Sequence, residues 1–252
     1  MIENLIPNFH IIYQNYTELF DRTEDKILDE DNESNIIDLM SFRRDFGKFD
    51  TKLRLVISIT NIELDDNFVR RKIGDLKDCH LYFYKLSDIW FAYEAFFHFY
   101  KSALNINLSS RKIVWLDDAT NSIYLNNNDI VDTLHIANQN LGENFNNNNK
   151  RVKLKEYLIY SRDYATGGQL NRLNIVIDKI DTQNINPMNH TDFLTIAYSI
   201  RNNFVHNGEV TIYPENFSYV LKSKLLKILY KYLVVITVKS ATITIENRLN
   251  IV

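Results

Sequence analysis

A single cysteine, Cys79, stands among 252 residues, which excludes an intramolecular disulfide and any cysteine-based metal cluster. A reducing cytoplasm fits that scarcity. The segment Met1-Ile2-Glu3-Asn4 has no basic region and begins no apolar core of signal-peptide length. Glycine and proline number only 6 and 3, so the chain is short of the breakers a many-turned β fold needs, and long helices are expected. Glycine-rich phosphate loops, dinucleotide-binding glycine patterns and serine nucleophile elbows are all missing. His10, His80, His98, His135 and His190 are scattered without metal-ligand spacing, so neither a metal nor another cofactor is expected. Positive charge is not in excess: 29 Lys and Arg against 32 Asp and Glu leave a net −3. No global basic field draws in nucleic acid, and any such binding must be local. The longest apolar-rich run, Ile228 to Val238, is interrupted by Lys231 and falls short of the ~20 residues that span a bilayer. A soluble protein without a membrane partner is expected.

Apolar residues make up 45% of the chain and aromatics 13%, enough for a packed core in one elaborated domain or a domain with an appendage. The pattern suggests an N-terminal extension, 1–73, and a helical domain, 74–252, with an insertion at about 104–150. In the extension, Asp29-Glu30-Asp31 reads as solvated surface, Asn35 to Phe46 as a helix, and Leu53 to Ile59, which alternates, as a strand. Asp75 to Ala103 reads as a helix so widely apolar that only Ser87, Glu94, His98 and Lys101 form a polar stripe. That stripe is either a solvent edge or a place where Glu94 and His98 face a cleft. In the insertion, Lys112 to Leu116 and Ser122 to Leu125 read as a small β-hairpin, Asn128 to Leu141 as a helix, and Asn146 to Asn149 as a mobile low-complexity loop. Helices are then expected over Val152–Tyr160, Leu170–Ile180 and Asp192–His206. The last is capped by Asn189 or Thr191 and stopped by Gly208. A final helix after Pro214 should turn Leu221, Leu225 and Leu229 inward and Lys222, Lys224, Lys227 and Lys231 outward. The β-branched run Val234 to Ile245 leaves its end open.

Chemistry concentrates in Ser199-Ile200-Arg201-Asn202-Asn203-Phe204-Val205-His206-Asn207-Gly208. Arginine is a permanent cation shaped for phosphate, and histidine exchanges a proton near neutrality. Arg201 falls within the helix's apolar arc, so it must pair with a carboxylate, reach a cleft or lie at an interface. Asn202 and His206 share a face, which would let the amide fix the imidazole tautomer. Arg201 and His206 lie about 140° apart on an ideal helix. Convergence therefore needs the helix to end at His206, the reach of the arginine, or a second copy of the chain. The structural alternative pairs Arg201 with Glu94 or Asp88 and leaves His206 as a helix-capping residue. Asn149 to Lys155 is a modest basic run, in which Lys150 and Arg151 are candidate contacts for RNA phosphate, with Asn203 and Glu94 as further substrate-binding candidates.

Arg201, Asn202 and His206 match the three positions of the motif of the HEPN superfamily (higher eukaryotes and prokaryotes nucleotide-binding domain): arginine, a polar residue, a few variable residues and histidine. The helix with Trp90 and Glu94 resembles the aromatic-rich early helix of that family's bundle. The resemblance spans roughly residues 75 to 247, its specific motif only six. It implies a helical bundle and a metal-independent endoribonuclease. Such an enzyme is a homodimer with a composite cleft, often a toxin or antiphage-defence effector with an antitoxin or defence-system partner. Catalysis would fall to Arg201, His206 and Asn202. The alternatives are a module that holds nucleotide or RNA without cutting, and a dimerisation module. Gly208 stands where toxins regulated by nucleotidyl transfer often carry tyrosine, which argues against a paired nucleotidyltransferase antitoxin.

Overall fold

The computed structural model describes residues 6, 8–63, 75–210 and 214–251. The signal-peptide reading of residues 1–4 and the boundary expected between 73 and 74 lie outside them. The protein is mainly α. In order come α1 (Phe9–Asp29), α2 (Glu33–Ser58), α3 (Asp75–Leu104), three short 3-10 turns, α4 (Ser122–Leu125), α5 (Asn128–Asn144), α6 (Asn148–Asp163), α7 (Gly167–Asp178), α8 (His190–His206) and α9 (Tyr219–Ile251). Among the described residues there is no strand, only an isolated bridge between Ile180 and Ile185. The chain forms two compact units, and both long helices α3 and α9 contribute to each.

The first unit comprises 1–60, 88–131 and 233–252, so the expected extension, to Thr60, folds together with later parts of the chain. Phe42, Phe46 and Phe49 of α2 meet Phe99 of α3 at ring-centre distances of 6.0, 5.9 and 5.2 Å. The strand expected at Leu53–Ile59 is instead the end of α2. Leu53 and Val56, three apart, are buried while Arg54 and Leu55 face water, and Arg54 pairs with Asp50 one turn back. Asp29 and Asp31 are exposed, as expected, in the turn where Asn32 caps α2.

No hairpin forms at 112–125, because side chains satisfy that backbone locally. Trp115 is fully buried and donates its indole N–H to the Tyr93 hydroxyl at 2.7 Å, which in turn donates to the Lys112 carbonyl at 2.6 Å. The Asn121 amide takes the Trp115 carbonyl at 2.7 Å. These bonds close tight turns and leave no extended edge for a partner strand. The β-branched end of α9 stays helical because the hydroxyls of Thr237, Thr242 and Thr244 bond the carbonyls four residues back. Across Tyr219–Asn250 this helix is long and apolar enough by composition to span a bilayer, yet 94% of its most apolar window is buried inside the protein. That burial makes it a core helix of the fold.

The second unit comprises 61–87 and 132–232. The asparagine run expected to be a loop begins α6: Asn147 caps it, its side chain accepting from Lys150 N at 3.0 Å. Asn189 and Asp192 form a capping box at the start of α8. Just before it, the Asn138 amide of α5 donates to the Met188 carbonyl and accepts from its N–H, both at 2.8 Å. The entry of α8 is thereby fixed at both its cap and the preceding loop.

Candidate functional site

The other end of α8 carries the site. The helix stops at His206, and Gly208 adopts φ +67°, a conformation that glycine takes without the Cβ penalty of other residues. The reversal lets the N–H groups of Asn207 and Glu209 both donate to the Asn203 carbonyl, at 3.1 and 3.0 Å. Phe204 stacks on Phe83 of α3 at 4.8 Å and meets Tyr84 edge-on at 5.4 Å. Aromatic packing therefore fixes the last turn from outside the helix.

Arg201 and His206 meet within one chain. The Arg201 backbone is in the buried part of α8 and the residue is 8% exposed, whereas His206 is exposed. Nη1 of Arg201 lies 3.1 Å from Nε2 of His206 and donates to the Asn202 side-chain oxygen at 2.9 Å. The reach of the arginine overcomes the angular separation, and the helix end leaves the imidazole uncrowded. Guanidinium nitrogens only donate, so this contact is a hydrogen bond only when the imidazole is neutral with its proton on Nδ1. Asn202 engages Arg201, not His206, so the tautomer is set by the guanidinium and not, as expected, by the amide.

Beneath this surface lies a charged centre that sequence reasoning missed. Glu209 is 3% exposed and Lys222 fully buried; their ion pair measures 2.9 Å. The Tyr157 hydroxyl donates to the same Glu209 oxygen at 2.7 Å, and Lys222 also donates to the Val210 carbonyl at 3.1 Å. The Lys222 ammonium lies 5.2 Å from the Tyr157 ring centre and 5.4 Å from that of Phe83. Burial raises the Glu209 carboxyl above its ordinary range, against the pull of Lys222, Tyr157 and Asn203. Burial likewise drives the Tyr157 phenol far up, reinforced by the Glu209 charge. The segment leaving α8 is thus anchored to α6 and α9 by one carboxylate.

Lys222 was expected to face outward. Its register with Leu225, Leu226 and Leu229, one and two turns on, was the available signal that it belongs to the buried face. Asn203, expected to contact substrate, is 2% exposed and faces this interior; its side-chain oxygen accepts from the Asn207 amide at 3.1 Å.

The remaining candidates do not join the motif. Arg151 donates to the carbonyls of Thr182 and Phe145, holding a loop in place, and Lys150 reaches Asn146 at 2.9 Å. Glu94, in the first unit, forms an ion pair with Lys112. Within α3's expected polar stripe, Ser87 is buried while His98 and Lys101 are exposed. No group of three or more His, Cys, Asp or Glu with metal-binding placement occurs among the described residues. Compared with family models, with curated proteins and with solved structures, the chain matches none.

Proposed function

We propose that this protein is a cytoplasmic, metal-independent endoribonuclease of HEPN type, a toxin or antiphage-defence effector that works as a homodimer. The observation that carries the reading is the 3.1 Å contact between Arg201 Nη1 and an exposed His206 Nε2, on an arginine backed by buried structure. A cation shaped for phosphate and a proton acceptor stand at hydrogen-bond distance, which is what cleavage by a neighbouring hydroxyl requires.

An RNA phosphodiester would draw the guanidinium onto its non-bridging oxygens, freeing Nε2 of His206. That nitrogen takes the 2′-hydroxyl proton as the 2′-oxygen attacks phosphorus. The bond to the 5′-oxygen breaks, leaving a 2′,3′-cyclic phosphate and a 5′-hydroxyl once that oxygen is protonated. His206 of the second copy, in its protonated form, supplies that proton. Asn202 holds the guanidinium plane. DNA, without the 2′-hydroxyl, is not cut.

Incubation of purified protein with total RNA and tRNA in EDTA tests this. Wild type should cut, and Arg201→Ala and His206→Ala should each lose about 100-fold or more of the rate while remaining folded. Equal cutting by all three would end the proposal. The internal closure of Arg201 on Asn202 and His206 also suits a module that holds nucleotide without cutting. Binding lost in both variants, with no cleavage by wild type, would select that second reading.

A further inference from the structure

The first unit contains a cleft of about 900 Å³ with walls on α2 and α3 and one residue from α9, within the range of small-molecule sites, roughly 300–1,000 Å³. On α2 it is lined along one stripe from Asp38 to Lys52, on α3 by residues that include His98 and Lys101, and on α9 by Arg248. Three of its four lysine and arginine side chains have no protein partner among the described residues. Lys48 pairs with Asp45 at 3.1 Å, whereas the side chains of Lys52, Lys101 and Arg248 make no hydrogen bond or ion pair among the described residues. The Nε of Arg248 is closed off from solvent and still unpartnered, a placement that costs free energy unless something else supplies the acceptor.

Three cations from three separate helices therefore border one concave space. Asp38, the acidic residue of the stripe that Lys48 does not neutralise, stands fourteen positions from Lys52, about 21 Å along the helix axis. The lining contains no phenylalanine, tyrosine or tryptophan, so it offers no platform on which a base would stack. What the cleft provides is donors and positive charge.

We infer that this cleft is a binding site for phosphate groups, held by Lys52, Lys101 and Arg248 and read through the phosphates rather than through a base. The inference is independent of the ribonuclease reading, since it uses no residue of α8. Phosphate oxygens would pair with the terminal guanidinium nitrogens of Arg248, and the two exposed lysines would contribute charge without needing fixed geometry. The ligand is either a small polyphosphate-bearing molecule or the backbone of a single strand, which present the same oxyanions.

Calorimetric titration of the full-length protein with inorganic tripolyphosphate, uridine 5′-triphosphate and a 2′-O-methyl oligouridylate distinguishes the sources. Saturable binding of tripolyphosphate and the nucleotide with similar affinity identifies a small ligand. Binding of the oligonucleotide alone identifies a nucleic-acid backbone. In either case Lys52→Ala, Lys101→Ala and Arg248→Gln should each weaken binding about tenfold, and for the oligonucleotide also lower the salt slope by about 0.7, while Arg22→Ala on the exposed face of α1 leaves it unchanged. The lysines are exposed, so their variants remain informative if Arg248→Gln is unstable. No binding of any probe, or binding indifferent to all three substitutions, would overturn the site.

Discussion

A buried lysine in the second compact unit and three cleft cations in the first are handled in opposite ways. In the second, Lys222 is fully buried, and its ammonium is consumed by Glu209 and the Val210 carbonyl. In the first, Lys52, Lys101 and Arg248 border an open cleft, and none of their side chains is paired among the described residues. A charge satisfied inside a protein acts by position: here it holds the turn after α8, and with it the Arg201 and His206 pair. A charge left unsatisfied at a concave surface is available to a ligand. The same residue type thus supports a site in one unit and forms one in the other.

The sharpest way to break this contrast is Lys222→Ala, which leaves a buried carboxylate without its counter-charge. A loss of about 3–5 kcal/mol is expected in urea denaturation, whereas Lys101→Ala in the cleft should change stability by about 0.5 kcal/mol or less. Comparable losses for the two would erase the distinction.

Alkali should expose the same interior. Burial raises the phenols of Tyr157 in the second unit and of Tyr16 and Tyr93 in the first above the ordinary value of 10.0. With folded values raised, the stability these protons confer is full below the ordinary value and is lost as pH rises through the folded ones. Phenolate absorbance from these residues should therefore appear together with loss of the helical circular dichroism, not before it.

Gly208→Ala should cost about 1–2 kcal/mol, because a side chain disfavours the left-handed conformation. The added Cβ meets nothing within 4 Å, so the cost reports backbone strain alone, and RNA cleavage should fall with it as His206 shifts. The smallest effect belongs to Glu94→Ala. Its pair with Lys112 is about a third exposed on each side, and a change of 0–1 kcal/mol with no effect on cleavage is expected.

Much of the helical order could be read from periodicity, and α8 could be read almost completely: Asn189 at its start and Gly208 past its end are local signals acting within a few residues. What escaped depends on tertiary neighbours. Leu53 to Ile59 alternates like a strand, but Leu53 and Val56 bury on one helical face. The segment 112–125 has the turn chemistry of a hairpin, but Trp115 finds its partners in Tyr93 and Asn121. Likewise Arg201, Asn202 and His206 are visible in sequence, whereas Glu209 and Tyr157 are 52 residues apart and meet only after folding. Local chemistry leaves a local trace; an ion pair closed between α9 and the turn after α8 leaves only a lysine out of place on an apolar stripe.

The most direct measurement uses an RNA that the protein cuts at a mapped position, compared with the same RNA carrying one 2′-deoxynucleotide on the 5′ side of the scissile phosphate. If Arg201 and His206 drive attack by the neighbouring hydroxyl, cutting at that bond stops, and the unmodified RNA yields a 2′,3′-cyclic phosphate end. Continued cutting at the deoxy position would show that the nucleophile comes from elsewhere and would contradict the mechanism.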